Sequence, residues 1–178
     1  MQGNTRTAPG TTSLGAAAYR RELLRLLDEA FAGPAWHGPS LRGALRSVTA
    51  AEARRSPGPG RNSIWDLTLH AAYGKYRVLR RLDAALAPAF PRPLIKDWWP
   101  RVIVDVDEEE ETAWRRDRLL LDDYHRQLVE GVAHVPDRRL RYTPPGARFT
   151  LGEQVSGVAL HDIYHAGQVR LLRRLLQD

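Results

Sequence analysis

The stretch HDIYHAGQVRLLRR, residues 161–174, places histidines on the apolar side of a predicted helix. At about 100° per residue, His161 and His165 fall in the sector of the helix that holds its leucines and valines, and Gln168 lies at the edge of that sector. Burying an unsatisfied polar group costs about 1–3 kcal/mol, so these side chains need partners. Histidines at i and i+4 can bind one metal ion together. The stretch therefore indicates either a metal site or hydrogen-bonded core histidines.

Apolar residues recur with helical spacing in four longer segments of the chain. Two of these segments begin with a capping-box pattern, in which Ser63 precedes Asp66 and Thr150 precedes Glu153. Four amphipathic helices in one domain predict an all-α fold, a four-helix bundle. The predicted helices cover residues 16–32, 63–87, 107–133 and 150–178.

The segments between these helices complete the predicted organisation. A short helix is expected within 40–54, and RRLRYT at 138–143 suggests a short extended segment. The Pro-rich connection APAFPRPLIKDWWPRV at 87–102 is long, so a simple up-down-up-down order of helices does not follow. Residues 1–14 are expected to form a flexible tail, and residues 15–178 a single domain.

The composition excludes several kinds of chemistry. The chain has no cysteine, which rules out disulfides, thiolate metal ligands and a cysteine nucleophile. Any thiol chemistry therefore needs a thiol from outside the protein. No apolar run approaches the roughly 18 residues of a membrane-spanning helix, and the N-terminus lacks the features of a signal peptide. We expect a cytoplasmic protein that does not act at a membrane.

The net charge of +6 comes from arginine, since only Lys75 and Lys96 are lysines. The arginines are spread along the chain, as in Arg77, Arg80 and Arg81, at positions that suit the solvated backs of helices. Nucleic-acid binding is therefore disfavoured, because such proteins concentrate basic residues in one footprint. Many arginines and few lysines are typical of a GC-rich bacterial genome.

A metal site on the last helix needs at least one further ligand from elsewhere in the chain. The residues alone leave four candidates open: His37, His70, His125 and His134. His37 lies in a Gly/Pro-rich loop, and His134 lies at a predicted helix end. His125 lies on an apolar stripe, where a lone histidine is more often a core residue than a ligand. His70 lies at the shoulder of such a stripe, beside a glycine that leaves room.

Two segments carry a resemblance to a known family. SIWDLTLHAAYGKYRVLRRL at 63–82 and TLGEQVSGVALHDIYHAGQVRLLRR at 150–174 resemble the two signature helices of the DinB-like (YfiT-type) superfamily of damage-inducible-type, metal-binding four-helix bundles. The likeness extends from the first helix through AWHGPSLRGAL at 35–45 to the end of the chain. The H-x-x-Y-H-x-G-Q string is fairly specific when a histidine near the start of helix two accompanies it.

The resemblance implies a three-histidine site for a divalent metal, with His70, His161 and His165 as ligands. Zinc or nickel is the metal that it favours, with manganese and iron as alternatives. It also implies an unusual helix order and a homodimer. Some relatives are S-transferases that use bacillithiol or mycothiol, and others are maleylpyruvate isomerases. The predicted function is therefore a metal-dependent thiol S-transferase that acts on a small-molecule substrate. A hydrolase is less favoured, and a non-catalytic metal-binding stress-response protein is the alternative.

Several residues near the predicted ligands have no assigned role at this point. Asp66, Asp162 and Gln168 are candidates for groups that support the ligands from behind. The tryptophans at 98 and 99 could line a pocket, although simple packing is the more common role. Three neutral histidines would leave coordination positions open, and a metal there could lower the pKa of a bound water or thiol.

Overall fold

The computed structural model describes residues 10–96 and 98–176, and within them the chain is an all-α bundle built on four long helices. The predicted fold class is confirmed. The helices are α1 (Gly10–Phe31), α2 (Leu41–Ala44), α3 (Ala50–Arg54), α4 (Ile64–Leu82), α5 (Glu110–His134), α6 (Asp137–Leu140) and α7 (Leu151–Leu175). A 3₁₀ turn covers Ala84–Leu86, and two short strands, β1 (Leu94–Lys96) and β2 (Trp99–Pro100), pair antiparallel.

The long helices do not pack in simple chain order. Helix α4 packs on α5 and α7, and α1 packs on α7 and α5. The order around the bundle is therefore α1, α7, α4, α5. The pairs α1/α4 and α5/α7, although consecutive among the long helices, face each other across the bundle diagonal. The long connections from α1 to α4 and from α5 to α7 make this order possible, because a short loop joins only neighbouring helices.

Helix α4 is the most deeply buried element, because α3 and β2 cover it in addition to α5 and α7. Trp65 of α4 and Trp114 of α5 are fully buried and in contact, with ring centroids 5.3 Å apart. The Trp65 indole N–H donates to the buried carboxylate of Asp117 at 2.9 Å. This polar group inside the core is thereby satisfied and does not carry the cost of an unpaired one.

The predicted caps are confirmed. Ser63 and Asp66 form a capping box at the start of α4, and Thr150 and Glu153 form one at the start of α7. Each box satisfies two backbone N–H groups that have no partner inside the helix. A third capping box, Thr49 with Glu52, begins α3 inside the segment where one short helix was expected.

Some predicted boundaries were wrong. Helix α4 ends at Leu82 and not at 87, because Asp83 adopts an extended backbone and its side chain caps the 3₁₀ turn. The segment 138–143 does not form a strand, since the short helix α6 occupies its first half and a turn follows at Arg141. The Pro-rich connection contains the β1/β2 pair, which helical periodicity could not reveal.

The two ends of the chain bear on the predicted domain limits. Helix α1 already begins at Gly10, inside the segment expected to be a tail, while residues 1–9 lie outside the described residues. The flexible tail and the single domain from residue 15 therefore stay predictions. Among the residues that the structure describes, no helix is both long enough and apolar enough to cross a bilayer.

Candidate metal centre

Helices α4 and α7 bring three histidines to one point. His70 lies in the second turn of α4, and His161 and His165 lie on successive turns of α7. The Nε2 atoms of His161 and His70 are 3.0 Å apart, and those of His165 and His161 are 2.9 Å apart. The three side chains form a group that could hold a metal ion. The structure thus brings together the ligand set that the family resemblance implied.

The Nδ1 atoms of two of these rings are engaged outside the cluster. His70 Nδ1 lies 2.7 Å from the Trp98 carbonyl oxygen, and His165 Nδ1 lies 2.6 Å from Gln168 Oε1. A carbonyl oxygen only accepts hydrogen bonds, so each Nδ1 carries the proton and donates it. Both Nε2 atoms are then unprotonated in the neutral rings, and their lone pairs point into the cluster.

His161 completes the argument for a cation. Its Nδ1 is buried and has no hydrogen-bond partner among the described residues. Its Nε2 faces the Nε2 lone pairs of His70 and His165. A neutral ring has one proton and can donate it to only one of the two. A divalent ion would satisfy all three Nε2 atoms at once. Zn–N bonds of about 2.0–2.1 Å in a tetrahedral site set neighbouring nitrogens roughly 3.3 Å apart, close to the separations here. The residues present therefore fit the metal.

Burial keeps these rings neutral. Burial first, and then the neighbouring His165, His70 and Lys75, lower the pKa of His161 to about 3. Burial also lowers the pKa of His165 to about 4, against the hydrogen bond that His165 donates to Gln168, which raises it. The pKa of His70 is likewise lowered by burial, while its bond to the Trp98 backbone opposes this. Neutral imidazole is the form that binds metals, so no proton must be displaced at neutral pH.

The Pro-rich connection forms one wall of the centre. The Trp99 ring stacks on the His70 ring, with centroids 4.1 Å apart. Trp98 has φ of 70°, an uncommon backbone conformation for a residue with a side chain, and it presents its carbonyl to His70. Trp36, by contrast, is fully exposed. Trp98 and Trp99 therefore position a histidine directly, whereas Trp36 packs against nothing in the core.

The room that Gly74 leaves is used by His161. A Cβ atom at position 74 would lie 3.5 Å from Cε1 of His161, an ordinary van der Waals contact. A methyl group is therefore tolerated there, and a larger side chain would meet the ring.

The other candidate residues lie outside the centre. His125 is in the core, where its ring stacks on Phe31 at a centroid distance of 3.8 Å. His37 and His134 are exposed. Asp66 caps α4 and does not touch the histidines. Of the three proposed supporting groups, only Gln168 bonds a ligand directly.

Asp162 has a partner that the sequence did not suggest. It forms a salt bridge with Lys75, and both side chains are fully buried. Burial raises the pKa of Asp162, and the Lys75 ammonium opposes that shift. Lys75 lies among the apolar positions of its helix. A lysine at such a position is the one sequence signal that could have indicated a buried pair. The support from the Trp98 carbonyl had no sequence signal, because any residue type has a carbonyl.

Comparisons with known proteins agree with this geometry. The family model described as DinB superfamily matches residues 35–169, which are 135 of the 178 residues and include all three histidines. A search of curated proteins and a search of solved structures gave no match.

Proposed function

The chain belongs to the DinB superfamily, and from this premise we propose that it is a metal-dependent enzyme of the thiol S-transferase class. The metal is a divalent ion, zinc or nickel first, with manganese and iron as alternatives, and the ligands are His70, His161 and His165. The thiol is a small cofactor of the bacillithiol or mycothiol type. The protein acts on small molecules in the cytoplasm, without a nucleic-acid partner.

One observation carries the metal part of the proposal. Three neutral Nε2 atoms converge, and acceptors behind His70 and His165 fix their tautomers. Structural zinc sites usually have four protein ligands, whereas catalytic sites have three and keep a position for an exchangeable ligand. Among the described residues, no fourth cysteine, histidine or carboxylate joins this group. Three ligands therefore favour a reactive site over a purely structural one.

The thiol part of the proposal rests on the family resemblance, and the composition of the chain bears on where the thiol comes from. There is no cysteine, so the protein itself supplies no thiol nucleophile. A bound divalent ion would supply Lewis acidity, which favours the thiolate form of a thiol. The chain's own residues orient the ligands, since Trp98 and Gln168 fix two rings. They also exclude water from one side of the site, since Trp99 covers His70.

The first test is metal content by mass spectrometry on untagged protein. We expect about one divalent ion per chain in the wild type and a loss of at least 90 % of it in His161→Ala, because removing one of three ligands leaves a weak site. The matched control is His134→Ala, which removes an exposed histidine and leaves the content unchanged. Wild-type protein that holds no ion after reconstitution with zinc, nickel and manganese would refute the metal site.

The second test separates the enzyme from a non-catalytic metal-binding stress-response protein. Metal-loaded protein is incubated with low-molecular-weight thiols and electrophiles, and thioether formation is followed by mass spectrometry. Turnover that requires His161 supports the transferase. Stoichiometric metal without turnover of any thiol favours the non-catalytic alternative.

We also propose that the chain forms a homodimer through α7. Four apolar side chains recur along this helix at spacings of four, seven and four residues, and each is more than half exposed: Leu160, Tyr164, Leu171 and Leu175. Such a stripe on one helix is typical of an interaction surface. A second copy of the same helix would cover it with a chemically matching face.

A further inference from the structure

A second cluster of functional groups lies on α4, one to three turns beyond His70. Tyr73, Tyr76, Arg77, Arg80 and Arg81 follow one another at helical spacing and so share one face of the helix. The Pro-rich connection crosses this face, and an open pocket of about 540 Å³ lies between the two. That volume lies within the range of about 300–1,000 Å³ that is typical of small-molecule sites.

The pocket is strongly basic. Its lining includes Arg77, Arg80, Arg81 and Arg92, and among the residues that the structure describes no carboxylate is part of it. Arg80 donates to the Tyr76 hydroxyl at 2.9 Å, and Arg81 donates to Gln154 Oε1 at 2.6 Å. Within the described part of the chain, no carboxylate forms a salt bridge with Arg77, Arg80 or Arg81. Three guanidinium charges therefore face one concave space without neutralisation.

Arg92 is held in a fixed position at the rim of this pocket. Its Nη2 donates to the buried carboxylate of Asp117 at 2.5 Å, and its side chain is only 13 % exposed. Its Nε is buried and has no hydrogen-bond partner among the residues described. This N–H group can therefore still donate a hydrogen bond. Arg92 is thus part of a preformed wall, unlike a mobile surface arginine.

Arg77 is positioned by aromatic rings. Its guanidinium lies 4.1 Å from the centroid of the Trp98 ring and 5.9 Å from that of Tyr73. Stacking of this kind holds a guanidinium in place and leaves its N–H groups free to donate. Tyr73 and Phe90, in edge contact at 5.1 Å, provide apolar wall surface beside the charges. The pocket therefore combines an anion site with a surface for a ring or an alkyl chain.

From this geometry we propose that the pocket binds a small molecule with two or more adjacent phosphate or carboxylate groups. A guanidinium group pairs with a phosphate or with a carboxylate through two parallel hydrogen bonds. Such charge-assisted bonds are about twice as strong as hydrogen bonds between neutral groups. The site is separate from the three histidines. Trp98 contacts both sites, since its ring lies against Arg77 and its carbonyl accepts from His70.

The test is isothermal titration of the full chain with pyrophosphate as the phosphate probe and citrate as the carboxylate probe. We expect one site per chain for at least one probe. The double substitution Arg80→Gln/Arg81→Gln should weaken binding at least about tenfold, since it removes two of the unneutralised charges. The matched control is Arg21→Gln/Arg138→Gln, which removes two exposed arginines elsewhere and changes the net charge equally. It should leave the affinity within about twofold.

The outcomes distinguish specific binding in this pocket from nonspecific electrostatic binding of the anionic probes to a basic protein. Binding of pyrophosphate alone identifies the ligand as a phosphate compound, and binding of citrate alone identifies it as a polycarboxylate. Equal weakening in the two double variants, or no binding of either probe, overturns the proposal.

Both titrations are repeated with His161→Ala. Unchanged affinity there shows that the pocket acts without the metal, so the proposed function and this site can fail separately.

Discussion

The second nitrogen of each histidine decides what its ring can bind. Gln168 accepts from His165 Nδ1 and so directs the Nε2 lone pair of His165 at the other two rings. Gln168 Nε2 in turn donates to the Tyr164 hydroxyl at 3.2 Å, which fixes the orientation of the amide. Gln168, which is not itself a candidate ligand, would thereby affect how well the three histidines bind a metal.

Replacing Gln168 with leucine should weaken metal binding by about 10–100-fold, as is usual for the loss of a group behind a ligand. The variant keeps the volume of the side chain and removes only the acceptor. Metal affinity is measured by competition with a chromophoric chelator. Gln127→Leu on α5 is the control and should bind metal as the wild type does. An unchanged affinity in Gln168→Leu would show that the His165 tautomer does not depend on the amide.

His125 should make the fold sensitive to acid. Burial, together with Lys75 and Arg42, lowers its pKa from 6.5 to about 3. Between these values the unfolded chain binds a proton that the folded chain does not, so stability falls as the pH drops below 6.5. The slope is at most about 1.4 kcal/mol per pH unit for this one group.

The substitution His125→Leu should therefore flatten this fall. Between pH 7.5 and pH 5 the variant should lose about 2 kcal/mol less unfolding free energy than the wild type, measured by urea denaturation of metal-free protein. His134→Leu, at an exposed position, serves as the control. A parallel pH dependence in His125→Leu and the wild type would mean that the His125 ring is hydrated in the folded protein.

At the scale of elements, α4 and α7 are joined by charge as well as by apolar packing. The Lys75–Asp162 pair crosses between them one turn from the histidines, and no part of it reaches solvent. The Lys75 ammonium also lies 4.9 Å from the centroid of the Phe31 ring of α1. A buried pair of this kind stabilises little in total, but breaking it is costly because one charge stays unpaired.

Lys75→Met should therefore destabilise the protein by about 3–5 kcal/mol, because it leaves the Asp162 carboxylate buried and alone. The double variant Lys75→Met/Asp162→Leu should recover most of that loss, since neither charge remains. Both values come from urea denaturation at pH 7.5. If the double variant is as unstable as the single one, the lost stability comes from packing and not from the unpaired charge.

At the scale of the whole molecule, the bundle leaves one helix face without a covering element. The apolar stripe of α7 lies roughly 90° around the helix axis from His161 and His165, and the proposed homodimer would bury it. A second apolar side on a helix serves either a neighbouring helix or a dimer interface. The side chains of the stripe are exposed, so none of the helices that the structure describes covers them.

The substitution pair Leu171→Glu/Leu175→Glu should convert a dimer into a monomer, because charges across a two-fold interface repel and lose hydration. Light scattering after size exclusion should give twice 20.1 kDa for the wild type and 20.1 kDa for the variant. The control Val106→Glu/Leu119→Glu alters exposed apolar residues off the stripe and should stay dimeric. A monomeric wild type at micromolar concentration would refute the dimer.

The sequence by itself determined the fold class, the four long helices and two of the capping boxes, because these depend on local periodicity and on side chains three residues apart. Together with the family resemblance, it also indicated His70, His161 and His165. It erred at the end of α4 and in the segment that became α6, where one or two residues at a boundary decide the outcome.

Only the tertiary structure decided how these pieces meet. The Trp98 carbonyl behind His70, the Lys75–Asp162 pair and the approach of Arg92 to the arginines of α4 each join residues at least 11 positions apart. No periodicity within one helix encodes such contacts, because they depend on the crossed order of the helices and on the path of the Pro-rich connection. Local pattern therefore specified the elements, and packing between elements specified the chemistry.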